Sequence, residues 1–137
     1  MKLSDYIANF LSNITKHVFV GQGGSVVHIL DSLEKKEGIK VVPSQNEQCA
    51  AIAADAYSRI DNKYGVSIAT SGPGIINLIQ GIACSYFDSI ATMHISGAVT
   101  TKQLRKNKKI RQVGFQEMEV IDLVKPITKY AVLLKNK

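Results

Sequence analysis

Glu47 is the residue of this 137-residue chain whose setting most suggests chemistry. It heads a nearly all-apolar run of Cys49, Ala50, Ala51, Ile52, Ala53, Ala54 and Ala56. That helix reads as deeply buried, carrying its carboxylate in with it. A carboxyl group in an apolar pocket has a raised pKa and can share a proton with a heterocyclic nitrogen. Ser44-Gln45-Asn46-Glu47 also spells a capping box, in which Glu47 turns back on the helix N-terminus. The two roles are compatible.

Two glycine turns are the other candidates. Gly21-Gln22-Gly23-Gly24-Ser25 follows a strand and opens a helix, which invites a dinucleotide reading. The fingerprint fails, because Val26 stands where its third glycine belongs and Val41 and Val42 stand where an acid should follow. Paired glycines at a helix start still let an anion or a polar ring atom approach the backbone, and a plain tight turn explains them equally well. Thr70-Ser71-Gly72-Pro73-Gly74 repeats the arrangement with proline near the first helical position. It lacks the lysine of a P-loop, which argues against triphosphate binding.

The elements that position these residues alternate in type. Ser4 to Ile14 places Ile7, Phe10, Leu11 and Ile14 on one helical face, with Ser4 as N-cap. Strands are expected over residues 17–20, 39–42, 65–70 and 90–96. Helices are expected over Ser25 to Glu37 (Val26, Val27, Leu30 and Leu33 inward), about Asn46 to Ile60, and from the second glycine turn to about Phe87. Strands linked by crossover helices predict an α/β three-layer sandwich, a mostly parallel sheet covered on both faces. Ligands then gather beyond the carboxyl ends of the strands, at loops 21–25, 43–47 and 70–74. After Gly97 the pattern lapses into a segment, Thr100 to Arg111, with six of the 17 basic residues (Lys102, Arg105, Lys106, Lys108, Lys109, Arg111), which reads as a mobile solvated loop. A short helix near Glu117 to Val124 and a strand Ile127 to Leu134 close the chain.

Composition narrows the classes. The length suits one domain, and no stretch approaches the ~20 apolar residues of a membrane span. The N-terminus lacks the form of a secretory signal. The net charge of +6 is local: residues 97–137 hold 10 basic and 3 acidic groups, against 7 and 8 before them. A protein that coats nucleic acid is therefore a poor reading. Cys49 and Cys84, far apart in apolar surroundings, read as buried free thiols of a reducing, cytoplasmic compartment. His17, His28 and His94 are scattered without ligand spacing, so no metal site is expected within the chain.

Taken in order, the segments resemble a known family. Asn46-Glu47-Gln48-Cys49-Ala50-Ala51-Ile52-Ala53-Ala54-Asp55-Ala56-Tyr57-Ser58-Arg59, Thr70-Ser71-Gly72-Pro73-Gly74-Ile75-Ile76-Asn77, Asp88-Ser89-Ile90 and Ile95-Ser96-Gly97 are similar to the acetolactate-synthase-like thiamine-diphosphate enzymes. Val113-Gly114-Phe115-Gln116-Glu117 and Val124-Lys125-Pro126-Ile127-Thr128-Lys129-Tyr130 continue the likeness. It runs from Gly21 to about Tyr130 and points to the family's N-terminal pyrimidine-binding domain.

The resemblance implies the chemistry. Glu47 would hydrogen-bond N1′ of the cofactor's aminopyrimidine, a proton relay that generates the C2 ylide. The ylide attacks a 2-oxo acid, pyruvate by family default, and after loss of carbon dioxide the acyl carbanion passes to a second carbonyl. Thr70, Gly72, Pro73 and Asn77 would surround the pyrimidine with Glu47. Gly23, Gly24, Phe115 and Gln116 would lie on the substrate side, the Phe-Gln pair facing a partner subunit. Many relatives carry histidine where Asn46 stands. The motif for the diphosphate and its Mg²⁺, the middle domain and the flavin-contacting arginine are absent from these residues, so FAD stays open for the family but has no support here. The resemblance thus implies part of a longer enzyme or one subunit of a split one, working as a homodimer or higher oligomer against a second subunit's diphosphate-binding domain. The rival readings are the pyrimidine-binding subunit of a split decarboxylase similar to sulfopyruvate decarboxylase, whose basic 102–111 segment would steer an acidic substrate, and a non-catalytic dimerisation module.

Overall fold

The computed structural model describes residues 1–107 and 109–135, so Lys108 of the basic segment lies outside the described residues. Its elements run α1 (Leu3–Ile14), β1 (His17–Val20), α2 (Val27–Glu34), β2 (Lys40–Pro43), α3 (Glu47–Asp61), β3 (Gly65–Ala69), α4 (Pro73–Phe87), β4 (Thr92–Ser96) and α5 (Val120–Val124). The four strands form one sheet in the order β2-β1-β3-β4, and every pairing is parallel. The expected three-layer α/β architecture is what the chain adopts.

The period-two geometry of the strands feeds two cores. Val18, Val20, Val66 and Ile68 point to one face and pack with Ala8 and Leu11 of α1 and Leu33 of α2. Ala69 points to the other, where Ala51 of α3, Ile75, Leu78 and Ile82 of α4 and Val124 of α5 close over it. Helices α3 and α4 approach closely because their contact residues are small: a Cβ on Gly81 would fall 2.4 Å from the Ala51 Cβ. Bare backbone at Gly65 presses α3 onto β3 in the same way, since a Cβ there would fall 1.8 Å from the Ala54 carbonyl oxygen.

Several local expectations are corrected. Ser4 does not cap α1; Lys2 precedes the helix without a side-chain cap, and Ser4 is buried, accepting from Ser32 Oγ at 2.9 Å. Phe10 and Val27 are exposed, because single hydrophobes at the edge of a helical stripe fall outside the contact with the sheet. Helix α2 begins at Val27 after a 3₁₀ turn, Gly24–Val26, and ends at Glu34, short of the expected limits. The last helix begins at Val120 rather than Glu117. No strand follows it among the described residues: Lys125–Ile127 is a 3₁₀ turn containing Pro126, and residues 128–135 pair with nothing in the sheet. Cys49 and Cys84 are free, but both are exposed rather than buried, since the helices that carry them turn only one side to the sheet. Among the described residues no helix is long and apolar enough to cross a membrane.

Candidate functional site

The sheet order reverses at β1: α2 carries the chain outward to β2, and α3 carries it back across to β3. The loops after β1 and β3 therefore leave neighbouring strands at the switch point where α/β sheets bind ligands. Here the crevice is laced shut. Thr70 Oγ1 and Ser25 Oγ lie 2.8 Å apart, and Ser71 donates its backbone N–H to Ser25 Oγ at 2.9 Å. Gly23 rests on Thr70, where a Cβ would come within 2.3 Å of the threonine Cβ. Sequence reasoning missed Ser25. A serine after paired glycines has the signature of any helix start.

Glu47 sits just outside this lacing. It is the first residue of α3, and the cap falls to Asn46, whose extended backbone (φ −142°) lets its Oδ1 accept the Gln48 N–H at 2.8 Å. The predicted box from Ser44 is thus replaced by a shorter asparagine cap that reaches the amide two residues on. This leaves the Glu47 carboxylate free for other partners. Its side chain crosses Gly21, where an added Cβ would stand 2.2 Å from Cγ. Asn77 Nδ2 donates to Oε2 at 2.9 Å. A Cβ on Gly74 would stand 3.5 Å from Oε1, an oxygen that takes no hydrogen bond among the described residues. The carboxylate is half-buried rather than deeply buried, because α3 turns Cys49, Ile52 and Ala56 outward and only Ala50, Ala51, Ala54, Asp55 and Ser58 inward.

Asn77 reaches Glu47 from the fifth position of α4, a helix that Gly72 and Pro73 start. Gly72 has φ +65°, ψ −123°, a conformation that requires glycine, and a Cβ there would also strike the Gln116 Cβ at 2.6 Å. Gln116 is itself left-handed (φ +58°) and lies over Gly72, whereas the neighbouring Phe115 is 79% exposed. Gly24 faces open space. The structure thus groups Glu47 with Asn77, Thr70 with Gly23, and Gly72 and Pro73 with Gln116, while Phe115 and Gly24 stand on the surface.

Two clefts flank the Glu47–Asn77 pair. One, of about 350 Å³, is lined by Gly21, Gln22, Pro43, Ser44, Gln45 and Glu47. The other, of about 450 Å³, lies between Gly72, Pro73, Ile76 and Asn77 on one wall and Gln112, Gln116, Glu117 and Met118 on the other. The basic segment that leads into that second wall is exposed over most of its described residues, as a solvated loop should be, but Arg105 ties it down. Arg105 donates to the carbonyls of Ile110 and Arg111 at 2.9 and 3.2 Å and to Glu119 Oε1 at 2.8 Å. The basic composition concealed a buckle, because one of the arginines points inward to main-chain acceptors.

An aminopyrimidine asks a protein for a carboxyl group that can share a proton with a ring nitrogen and for backbone free of side chains beside it. Glu47, with Oε1 open, would fit the first need, and the bare backbone of Gly74 and Gly21 would fit the second. Among the described residues no group of three or more His, Cys, Asp or Glu could hold a metal ion.

Residues 1–123 match the family described as thiamine pyrophosphate enzyme, N-terminal TPP binding domain. The chain is 40% identical over 121 residues to the acetolactate synthase large subunit of Buchnera aphidicola subsp. Acyrthosiphon pisum (strain APS), covering 88% of this chain and 20% of that protein. To the acetolactate synthase large subunit of Cyanidium caldarium it is 38% identical over 124 residues, 88% of this chain and 20% of the relative. To the acetolactate synthase isozyme 3 large subunit of Escherichia coli (strain K12) it is 35% identical over 130 residues, 95% of this chain and 22% of the relative. The chain therefore spans about a fifth of the length of these relatives. Every loop from Gly21 to Gln116 that builds the site falls inside the matched span, and the chain belongs to the family of N-terminal TPP-binding domains of thiamine pyrophosphate enzymes.

Proposed function

We propose that this domain holds the aminopyrimidine of thiamine diphosphate against Glu47 in an acetolactate-synthase-like enzyme. That enzyme decarboxylates a 2-oxo acid, pyruvate first, and transfers the acyl fragment to a second carbonyl compound. The observation that carries the reading is a glutamate with one oxygen held by Asn77 and the other left open between bare glycine turns. Thiamine diphosphate, when bound, supplies the carbon nucleophile that adds to the 2-oxo acid and holds the electron pair left by departing carbon dioxide.

The chain's own residues supply the geometry. Glu47 holds and releases a proton at the pyrimidine N1′. Asn77 fixes the carboxylate through Oε2 and leaves Oε1 to the ring. Thr70, secured by Ser25, and the Gly72-Pro73 turn back the ring. Gly23, Gly24, Phe115 and Gln116 look toward the substrate. The diphosphate and Mg²⁺ are held by a diphosphate-binding domain outside these 137 residues, on a second subunit, in a cytoplasmic assembly that is at least dimeric. The apolar side chains that α3 and α4 leave exposed, among them Ile52, Ile60, Ile76 and Phe87, support such a partner surface.

Carbon dioxide release from pyruvate tests the proposal, in the assembly of this chain with its diphosphate-binding domain, thiamine diphosphate and Mg²⁺. Glu47→Gln removes the acidic proton relay and lowers turnover by about 10²–10⁴-fold. Undiminished turnover would falsify the reading and favour a non-catalytic dimerisation module.

A further inference from the structure

Glu117 grips the main chain at two points far apart in sequence. Its Oε1 accepts the Arg105 N–H at 2.6 Å, and its Oε2 accepts the N–H groups of Val113 at 2.9 Å and Gly114 at 3.4 Å. Both ends of the 105–114 loop therefore meet on one carboxylate. Glu117 precedes α5 by three residues, so it does not cap that helix. Directly before it stands Gln116, left-handed and seated on Gly72. A non-glycine residue keeps that conformation only where its surroundings over-determine it. The surroundings here are the clasp on one side and the Gly72 turn on the other. The second cleft lies between them, with Glu117 itself in its wall.

We infer that Glu117 is a positioning residue: by clasping the loop at Arg105, Val113 and Gly114 it holds Gln116 against Gly72 and sets the wall of the substrate-side cleft. The inference rests on the proposed function only in taking this cleft as the substrate side. The three backbone donors, Arg105 first, also hold the Glu117 carboxyl below the usual glutamate range, so the clasp is charged at neutral pH.

Glu117→Gln tests it, because one oxygen becomes an NH₂ that confronts a backbone N–H. In the turnover-competent assembly, amide exchange at Arg105, Val113 and Gly114 accelerates tenfold or more, while Ile68 and Leu78 in the cores stay protected. The pyruvate KM rises at least fivefold and kcat changes less than twofold, a split that general destabilisation would not produce. Glu117→Asp, which keeps both oxygens, recovers part of the protection and of the KM. Arg105→Gln, which removes the side-chain ties to Ile110, Arg111 and Glu119, shows the same split more weakly and decides the matter if Glu117→Gln fails to fold. Faster exchange with unchanged KM, or unchanged exchange, overturns the inference. A Glu47→Gln variant with full turnover overturns the proposed function instead and leaves the exchange result standing.

Discussion

Helix α3 carries two inward-reaching carboxylates, Glu47 at its first position and Asp55 two turns on, and they are treated in opposite ways. Asp55 is saturated: Arg59 Nε donates to Oδ1 at 2.6 Å and Ser85 Oγ to Oδ2 at 2.7 Å. Arg59 in turn reaches Asp88 beyond the end of α4, so the pair ties the far ends of the two helices together. Glu47 has one partner, Asn77, and an oxygen facing bare glycine backbone. A carboxylate that serves the fold has its acceptor capacity filled, whereas one that serves chemistry keeps a position open. Burial would raise the Asp55 pKa, but hydrogen bonds from Arg59 and Ser85 outweigh it and hold the group below the usual aspartate value.

Exchanging the two losses sharpens the contrast most. Glu47→Gln is expected to leave unfolding free energy within about 0.5 kcal/mol while turnover falls by the orders of magnitude given above. Asp55→Ala is expected to do the reverse, costing roughly 2–3 kcal/mol in urea denaturation. That is less than a fully buried pair would cost, because the Arg59 side chain is 42% exposed. Turnover per folded molecule should survive. If Asp55→Ala abolished turnover without loss of stability, the division between the two carboxylates would break down.

The structural end of the molecule also has a pH signature. His94, bonded to Ser67 Oγ at 2.7 Å and Thr92 Oγ1 at 3.0 Å, is pushed down to about 4 by burial, with Asp55 pulling weakly the other way. Its unfolded value is near 6.5, so between about pH 6.5 and 4 the unfolded chain binds the proton that the folded chain refuses. Stability should therefore decline as pH falls through that window, by at most about 1.4 kcal/mol per pH unit, and His94→Gln should flatten the decline. Asp55 adds to the loss only at lower pH, as it titrates through its depressed folded value. Denaturation midpoints at pH 7, 6 and 5 measure the effect.

Smaller changes probe the open end. Asn77→Ala frees Glu47 Oε2 and should lower turnover about tenfold with little change in stability, the worth of one charge-assisted hydrogen bond. Gly24→Ala meets nothing within 4 Å, and its effect on unfolding should stay within about 0.5 kcal/mol. A large destabilisation by Gly24→Ala would mean that this turn is packed like its neighbour Gly23.

Much of this was legible in the sequence. All four parallel strands and the helices between them stand within a few residues of their expected places, because β-branched runs and glycine turns are local signals. The same local signals mislead at the C-terminal strand: residues 127–134 have strand composition, but pairing depends on a neighbouring edge that composition does not encode. In the basic segment, charge content does not reveal that Arg105, among otherwise mostly exposed residues, turns inward to Ile110 and Arg111.

Residue types and spacing by themselves determined the alternating α/β plan, the placing of Glu47 at a helix mouth beside two glycine turns, and the likeness to a cofactor-binding family. Only the tertiary structure decided which residues meet. It brought Asn77 to Glu47 across 30 positions and Ser25 to Thr70 across 45. Hydrogen bonds between residues so far apart in sequence depend on how the sheet order brings its loops together, and no local pattern of side chains carries that information.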